Sequence, residues 1–242
     1  MSGKLKNKVS IITGAGSGIG KSIAKEFANE NSKVYLLDVI EDSGLEAKDE
    51  IIQNGGIAQF IYCDVSIEES VKNAVRKVLD EQEQIDIIVN NAAISHVGNI
   101  EQTSLSDLDR LYNVNIKSVY FVTKETIGSM VSTGGGVILN LASIVSKIGL
   151  KDRFAYSMSK GAVLSMTMSI AKDYIDKNIR CNCICPARVH TPFVDDYFEF
   201  QPIGRMATPD EVAKLALFLC SDDSQFITAA SYDFDGGVMN LR

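Results

Sequence analysis

The sequence lacks an apolar run near the ~20 residues that cross a bilayer, any proline before Pro186, an excess of positive charge, and the cysteine density of a disulfide scaffold. With 24 Lys and Arg against 31 Asp and Glu, the formal net charge is -7. Non-specific attraction to nucleic acid or to an anionic membrane is therefore not expected. Five cysteines in 242 residues point to a reducing, cytoplasmic setting. The opening stretch Met1 to Lys8 is polar and lacks the apolar centre of a signal peptide. No Pro/Gly/Ser-rich linker divides the chain, so residues 1–242 are expected to form a single domain, large enough to bury a core without staples.

Cys181, Cys183 and Cys185 alternate. In a strand they share one face, where small thiols pack well. The usual zinc spacings leave two or more residues between paired cysteines, so packing is expected here and no metal.

What is present is an alternation of short apolar runs and helical stretches. Strands are expected at Val9 to Ile12, Val34 to Leu37, Gln59 to Cys63, Ile85 to Val89, Gly136 to Leu141, Arg180 to Cys185 and Ser231 to Phe234. Helices are expected at Lys21 to Asn29, Gly44 to Gln53, Ser66 to Asp80, Tyr156 to Asp176, Pro209 to Cys220, and as one long element from Ser106 to Val131. This order implies an α/β fold, a Rossmann-type doubly wound parallel sheet with helices on both faces.

Between the first strand and first helix stands Thr13-Gly14-Ala15-Gly16-Ser17-Gly18-Ile19-Gly20-Lys21-Ser22. Glycines there let the backbone turn tightly and approach a pyrophosphate, whose charge a helix N-terminus favours. Ala15 to Ser22 also loosely resembles the phosphate loop of a nucleoside triphosphatase, with Lys21 on phosphate and Ser22 on magnesium; the strict motif wants glycine where Ala15 stands. Asp38, about 20 residues beyond the turn, is placed to bond both ribose hydroxyls of an adenosine.

Over essentially its whole length the sequence resembles the short-chain dehydrogenases/reductases. Thr13-Gly-x-x-x-Gly18-Ile19-Gly20 looks like that family's cofactor turn, Asp64-Val65 like the pair that meets the adenine, and Asn90-Asn91-Ala92 like the segment closing the cofactor cleft. Asn115, Ser143 and Tyr156-x-x-x-Lys160 fall in the order and rough spacing of its catalytic tetrad, and Pro186 with Val189 and Thr191 looks like the segment over the nicotinamide. Two positions depart from the pattern: Ala93 and Ala187 stand where the family usually has glycine. An alanine does not easily take positive φ, so a slightly different backbone is expected there.

The resemblance implies an oxidoreductase that moves a hydride with a nicotinamide and a proton with Tyr156. Tyr156 and Lys160 are four apart on a helix and share a face. A free tyrosine titrates near ~10, and a nearby ammonium favours the tyrosinate, so Lys160 is expected to lower it. Ser143 would polarise the reacting carbonyl. By resemblance, Lys160 also holds the nicotinamide ribose, and Asn115 a water linking Lys160 to solvent. Asp38 would repel the extra phosphate of NADP with no cation at Ser17 or Val39 to offset it, so NAD is the expected cofactor.

For the substrate, Lys147, Arg153, Arg188, His96 and His190 border the expected nicotinamide site, and cations around a carbonyl suit a small anionic or polyhydroxylated molecule. The stretches Cys181 to Phe193 and Gln201 to Met206 look similar to bacterial members acting on sugars and sugar acids, among them reductases of the unsaturated uronate from alginate. A sugar dehydrogenase or 3-oxoacyl reductase would share the same tetrad, and a non-catalytic NAD-sensing scaffold would bind the cofactor alone. A homotetramer or homodimer is implied, with Met158, Val163, Met166 and Ile170 as candidate contacts. Relatives carry a helical flap of some two dozen residues where only Pro192 to Gln201 stands here. Two explanations compete, a natural deletion that leaves the pocket open and a longer lid interrupted between Asp195 and Phe200, and the second is the expected one.

Overall fold

The computed structural model describes residues 3–191 and 201–241. Seven strands form one parallel sheet in the order β3-β2-β1-β4-β5-β6-β7: β1 (Val9–Thr13), β2 (Lys33–Asp38), β3 (Ile57–Tyr62), β4 (Ile87–Asn90), β5 (Gly136–Leu141), β6 (Ile179–Pro186) and β7 (Ser231–Phe234). The order reverses between β1 and β4, the crevice where open α/β sheets bind ligands. The helices are α1 (Gly18–Asn29), α2 (Glu41–Gln53), α3 (Glu68–Gln82), α4 (Leu105–Leu111), α5 (Ser118–Ser132), α6 (Phe154–Asp173) and α7 (Pro209–Cys220).

Every residue of β1 and β4 is buried because helices cover both faces. Side chains alternate across the sheet. Ile12, Leu36 and Val89 join Ile23 and Phe27 of α1, Ala47 of α2 and Val212 of α7 on one side. Ile11, Leu37 and Ile88 join Val75 of α3, Phe121 of α5 and Ala171 of α6 on the other. The start of α7 carries its own signal: Thr208 and Glu211 form a capping box around Pro209. The five cysteines are free and buried, and Cys181, Cys183 and Cys185 pack into the core as their alternation suggested.

Two expectations need correction. The long helix from Ser106 to Val131 is not one α-helix, since a π turn over Tyr112–Lys117 separates α4 from α5. Val163 and Ile170 do not belong to an outward face with Met158. At about 100° per residue they lie on the opposite side of α6; Val163 is buried beneath the helix and Ile170 packs partly buried on the core. The exposed face carries Phe154, Met158 and Met168. As expected of alanine, neither Ala93 nor Ala187 takes a positive φ. The proposed break between Asp195 and Phe200 lies outside the described residues. No helix among the described residues is long and apolar enough to cross a membrane.

Candidate active site

The C-terminal ends of β1, β2, β4, β5 and β6 deliver the chemistry-bearing segments to one edge of the sheet. At β1 the chain turns through Gly14 (φ +62°) and Gly18 (φ +53°). A Cβ on Gly20 would stand 2.1 Å from the Gly14 carbonyl oxygen, so only glycine lets α1 start so close beneath the turn. Ser17 caps α1 without any side-chain bond, and no acid stands in its first turn. The helix N-terminus therefore has no acceptor of its own, which fits a bound diphosphate. Ile19 packs against the core below. Asp38 closes the turn from β2: Oδ2 accepts from Gly16 N at 2.8 Å and Oδ1 from Ile40 N at 3.0 Å.

Thr13 ties the turn to β4. Its hydroxyl accepts from the amides of Asn91 and Ala92 at 3.0 and 3.1 Å, while Asn91 Nδ2 donates to the carbonyls of Thr13 and Gly14. Asp64 sits after β3, where its carboxylate accepts from Ser66, and Val65 beside it is buried. From the far side, Pro186 ends β6, Val189 is buried against Ala207, and Thr191 reaches back until its Cγ2 lies 3.3 Å from where a Gly18 Cβ would be. The turn and the segment after β6 thus face each other across the cleft.

The triphosphatase alternative fails here. Lys21 turns away from the glycine turn, 2.6 Å from Glu50 and 3.7 Å from Glu46 on α2.

The tetrad residues gather beside this cleft. Asn115 is almost fully buried in the π turn. Its Oδ1 accepts from Ile94 N at 2.8 Å, and its Nδ2 donates to Ile94 O and to Ser159 Oγ, each at 2.9 Å. A π segment interrupts the regular i to i+4 ladder, and this long-range amide pairing accompanies the interruption. Ser143 follows β5 and lies against the Tyr156 phenol, with its hydroxyl 3.4 Å from the Pro186 carbonyl. Tyr156 packs against an apolar cluster of Ile144, Val145 and Val238. Burial pushes its pKa up to about 12, opposed by the Ser143 hydroxyl and the Arg153 charge.

Lys160 does not lower that pKa in this conformation, contrary to expectation. Its ammonium donates to the Leu141 carbonyl at 2.7 Å, and its own pKa is brought down to about 8 by burial. The helical spacing puts the two residues on one face but leaves the lysine free to choose another acceptor.

The cations expected around the substrate fare differently. Lys147 is paired with Asp233 at 2.5 Å. His96 faces Asp107 at 3.6 Å. Arg188 lies in the segment joined to Ala207. Arg153 is the N-cap residue of α6, three positions before Tyr156, and its guanidinium bonds the Asp152 carbonyl at 3.2 Å; among the described residues no carboxylate pairs with it. Sequence reasoning missed Asp107, Asp233, Ser159 and the Leu141 carbonyl, all of which act on site residues from distant positions. No group of His, Cys, Asp or Glu among the described residues could hold a metal ion.

A doubly wound parallel sheet with a glycine turn at its switch point is the architecture of a Rossmann-type nucleotide-binding protein. Comparison narrows the class. A family model described as enoyl-(acyl carrier protein) reductase matches residues 14–239. The chain is 38% identical to an uncharacterized oxidoreductase of Thermotoga maritima, covering 96% of this chain and 97% of the relative. It is 34% identical to a 7alpha-hydroxysteroid dehydrogenase of Clostridium sardiniense, covering 97% and 94%. A 3-ketoacyl-(acyl-carrier-protein) reductase from Brucella melitensis, solved in complex with NADH, superposes with a TM-score of 0.92 at 34% identity over 97% of this chain and 99% of that one. The chain belongs to the short-chain dehydrogenase/reductase family of oxidoreductases, whose members use a nicotinamide cofactor and act on small molecules.

Proposed function

We propose that the protein is an NAD(H)-dependent oxidoreductase interconverting a carbonyl and an alcohol on a small carbohydrate-derived acid, of the uronate or 2-keto-3-deoxy sugar acid type. The observation that carries the substrate class is Arg153, a partly buried guanidinium near the Tyr156 phenol with no carboxylate partner among the described residues. An uncompensated cation beside the reacting group is suited to a substrate carboxylate held bidentately. Asp38 supports NAD, because its carboxylate at the end of β2 would repel a 2′-phosphate.

The nicotinamide, when bound, supplies or accepts the hydride. In reduction Tyr156 gives its phenolic proton to the carbonyl oxygen as the hydride reaches carbon, and in oxidation it takes that proton back. Ser143 donates to the same oxygen and polarises the carbonyl. Lys160 would hold the ribose and be re-protonated from solvent through a water held by Asn115. Gly14, Ser17, Gly18, Ile19 and Gly20 cradle the diphosphate, while Asp64, Val65, Asn91 and Ala92 border the adenine side. Pro186, Val189 and Thr191 border the nicotinamide.

A 3-oxoacyl reductase is the second reading, favoured by the likeness to the Brucella reductase. One panel separates the two: keto-uronates, 2-keto-3-deoxy acids, aldoses and a 3-oxoacyl thioester, each followed by NADH absorbance in the wild type and in Arg153→Ala. The sugar-acid reading requires turnover of a keto acid and its loss in the variant. Turnover confined to the thioester would sink it.

A further inference from the structure

We infer that His96 is a positioning residue for Arg153, an inference that rests on reading Arg153 as the anchor of the substrate anion. Its residue type and place in the chain would make His96 a direct substrate contact, but its surroundings give it another task. The side chain is only 11% exposed, and Nδ1 is buried without a hydrogen-bond partner. A substrate would not reach that atom. Nε2 faces Oδ2 of Asp107 on α4 at 3.6 Å, so the ring packs against the carboxylate. Asp107 is itself held: the Ser104 hydroxyl donates to the same oxygen at 2.6 Å, and Arg110 lies 3.6 Å from the other.

At Cε1, next to Nε2, the ring meets Gly98. A Cβ there would stand 2.7 Å from His96 Cε1. Gly98 has no positive φ, so it is the imidazole, and not the backbone conformation, that leaves no room for a side chain. Gly98 in turn brackets Arg153, because its amide donates to the Asp152 carbonyl at 2.9 Å and its carbonyl accepts from Phe154 N at 3.2 Å. Contact therefore runs without a gap from α4 through Asp107, His96 and Gly98 to the backbone on both sides of Arg153. The other end of the same loop is pinned at Ile94 by Asn115. His96 braces the stretch between these two fixed points, and Arg153 starts α6 from a backbone held in place by that brace.

The test measures kcat and KM of the full-length enzyme with NADH, using the most active keto acid of the panel and its uncharged methyl ester. His96→Ala is expected to raise KM for the acid about tenfold, the size of one weakened charge-assisted hydrogen bond. Its kcat, and KM for the ester, should stay within about twofold of wild type. His96→Gln, whose longer amide side chain can fill the space beside Asp107 and reach its carboxylate, should recover most of the loss.

Gly98→Ala should reproduce the defect, since the ring must give way, and this variant carries the test if His96→Ala yields no folded protein. Combining Gly98→Ala with His96→Ala should be no worse than His96→Ala alone, because removing the ring vacates the space the new methyl needs. Equal losses for acid and ester, or full additivity of the two substitutions, would overturn the inference. Arg153→Ala is the control. If it raises KM for the acid while the His96 variants do not, only the positioning role is lost. If it leaves KM unchanged, the anion anchor and the positioning role fall together.

Discussion

Lys160 holds its ammonium 5.9 Å from the centroid of the Tyr156 ring and gives its hydrogen bond to the Leu141 carbonyl instead. Burial acts on both residues in the direction of neutrality, with the phenol up to about 12 and the ammonium down to about 8. Without ligand the phenol is thus a protonated donor, ready for reduction, and the lysine is the more easily titrated of the two.

Removing that lysine should stabilise the ligand-free protein. A lysine whose pKa falls from 10.5 to about 8 on folding opposes folding wherever it is protonated, below pH about 8. The cost is relieved as pH rises towards 10.5, because there the unfolded chain binds the extra proton. Lys160→Met is therefore expected to raise Tm at pH 7 by several degrees and at pH 10 by much less, while turnover is lost. A lower Tm at pH 7 would mean that the bond to Leu141 outweighs desolvation.

Tyr156→Phe keeps the ring against the cluster of Ile144, Val145 and Val238 and removes the proton. Turnover should fall about 10²–10⁴-fold, with NADH binding, read by fluorescence, nearly intact. A loss below tenfold would place the acid–base work elsewhere.

Asp38→Ala combined with Val39→Arg should narrow or reverse the preference for NADH over NADPH, read as the ratio of kcat/KM values. Because Asp38 also accepts from Gly16 N and Ile40 N, activity with both cofactors should drop as the turn loosens. A wild type that works better with NADPH would refute the charge argument.

Asn115→Leu leaves Ile94 N–H, Ile94 C=O and Ser159 Oγ without their side-chain partner. Orphaned buried groups cost about 1–3 kcal/mol each. With part of that relieved by water, Tm should fall by roughly 5–10 °C in calorimetry. An unchanged Tm would show that the loop is held by other means.

The exposed apolar stripe of Phe154, Met158 and Met168 on α6 is the surface on which two copies are expected to meet. Light scattering should give a dimer or tetramer, and Met158→Glu should shift it towards monomer. A monomeric wild type at working concentration would refute this.

Local pattern carried much of the fold. Gly136–Leu141, Pro209–Cys220 and Ser231–Phe234 are read from sequence with the bounds they have in the structure, because each is an apolar run or a capped period flanked by turn residues. The π turn was not legible. Its signature is one extra residue in a helical period, and its partner Ile94 lies 21 residues away. For the same reason Lys147 read as a free cation, since Asp233, 86 residues on, cancels it. Motif spacing placed Tyr156 and Lys160 on one helical face. It carried no information about which acceptor the ammonium would choose, which the Leu141 carbonyl at the end of β5 decides.

The pairing of the Asn115 amide with both backbone groups of Ile94 has the form of one strand meeting another, although neither residue is in a strand. The chain after β4 thus takes its order from the π turn between α4 and α5. Its opening is coupled to the melting of that turn, so the Ile94 amide should exchange its hydrogen on the slow timescale of the core. Such an anchor does not depend on the side chains of Ser95 and Val97, which flank the His96 brace. Ser95 and Val97 can therefore change from one relative to the next without moving the wall they belong to, and new substrate preferences can arise there while the reacting groups stay where they are.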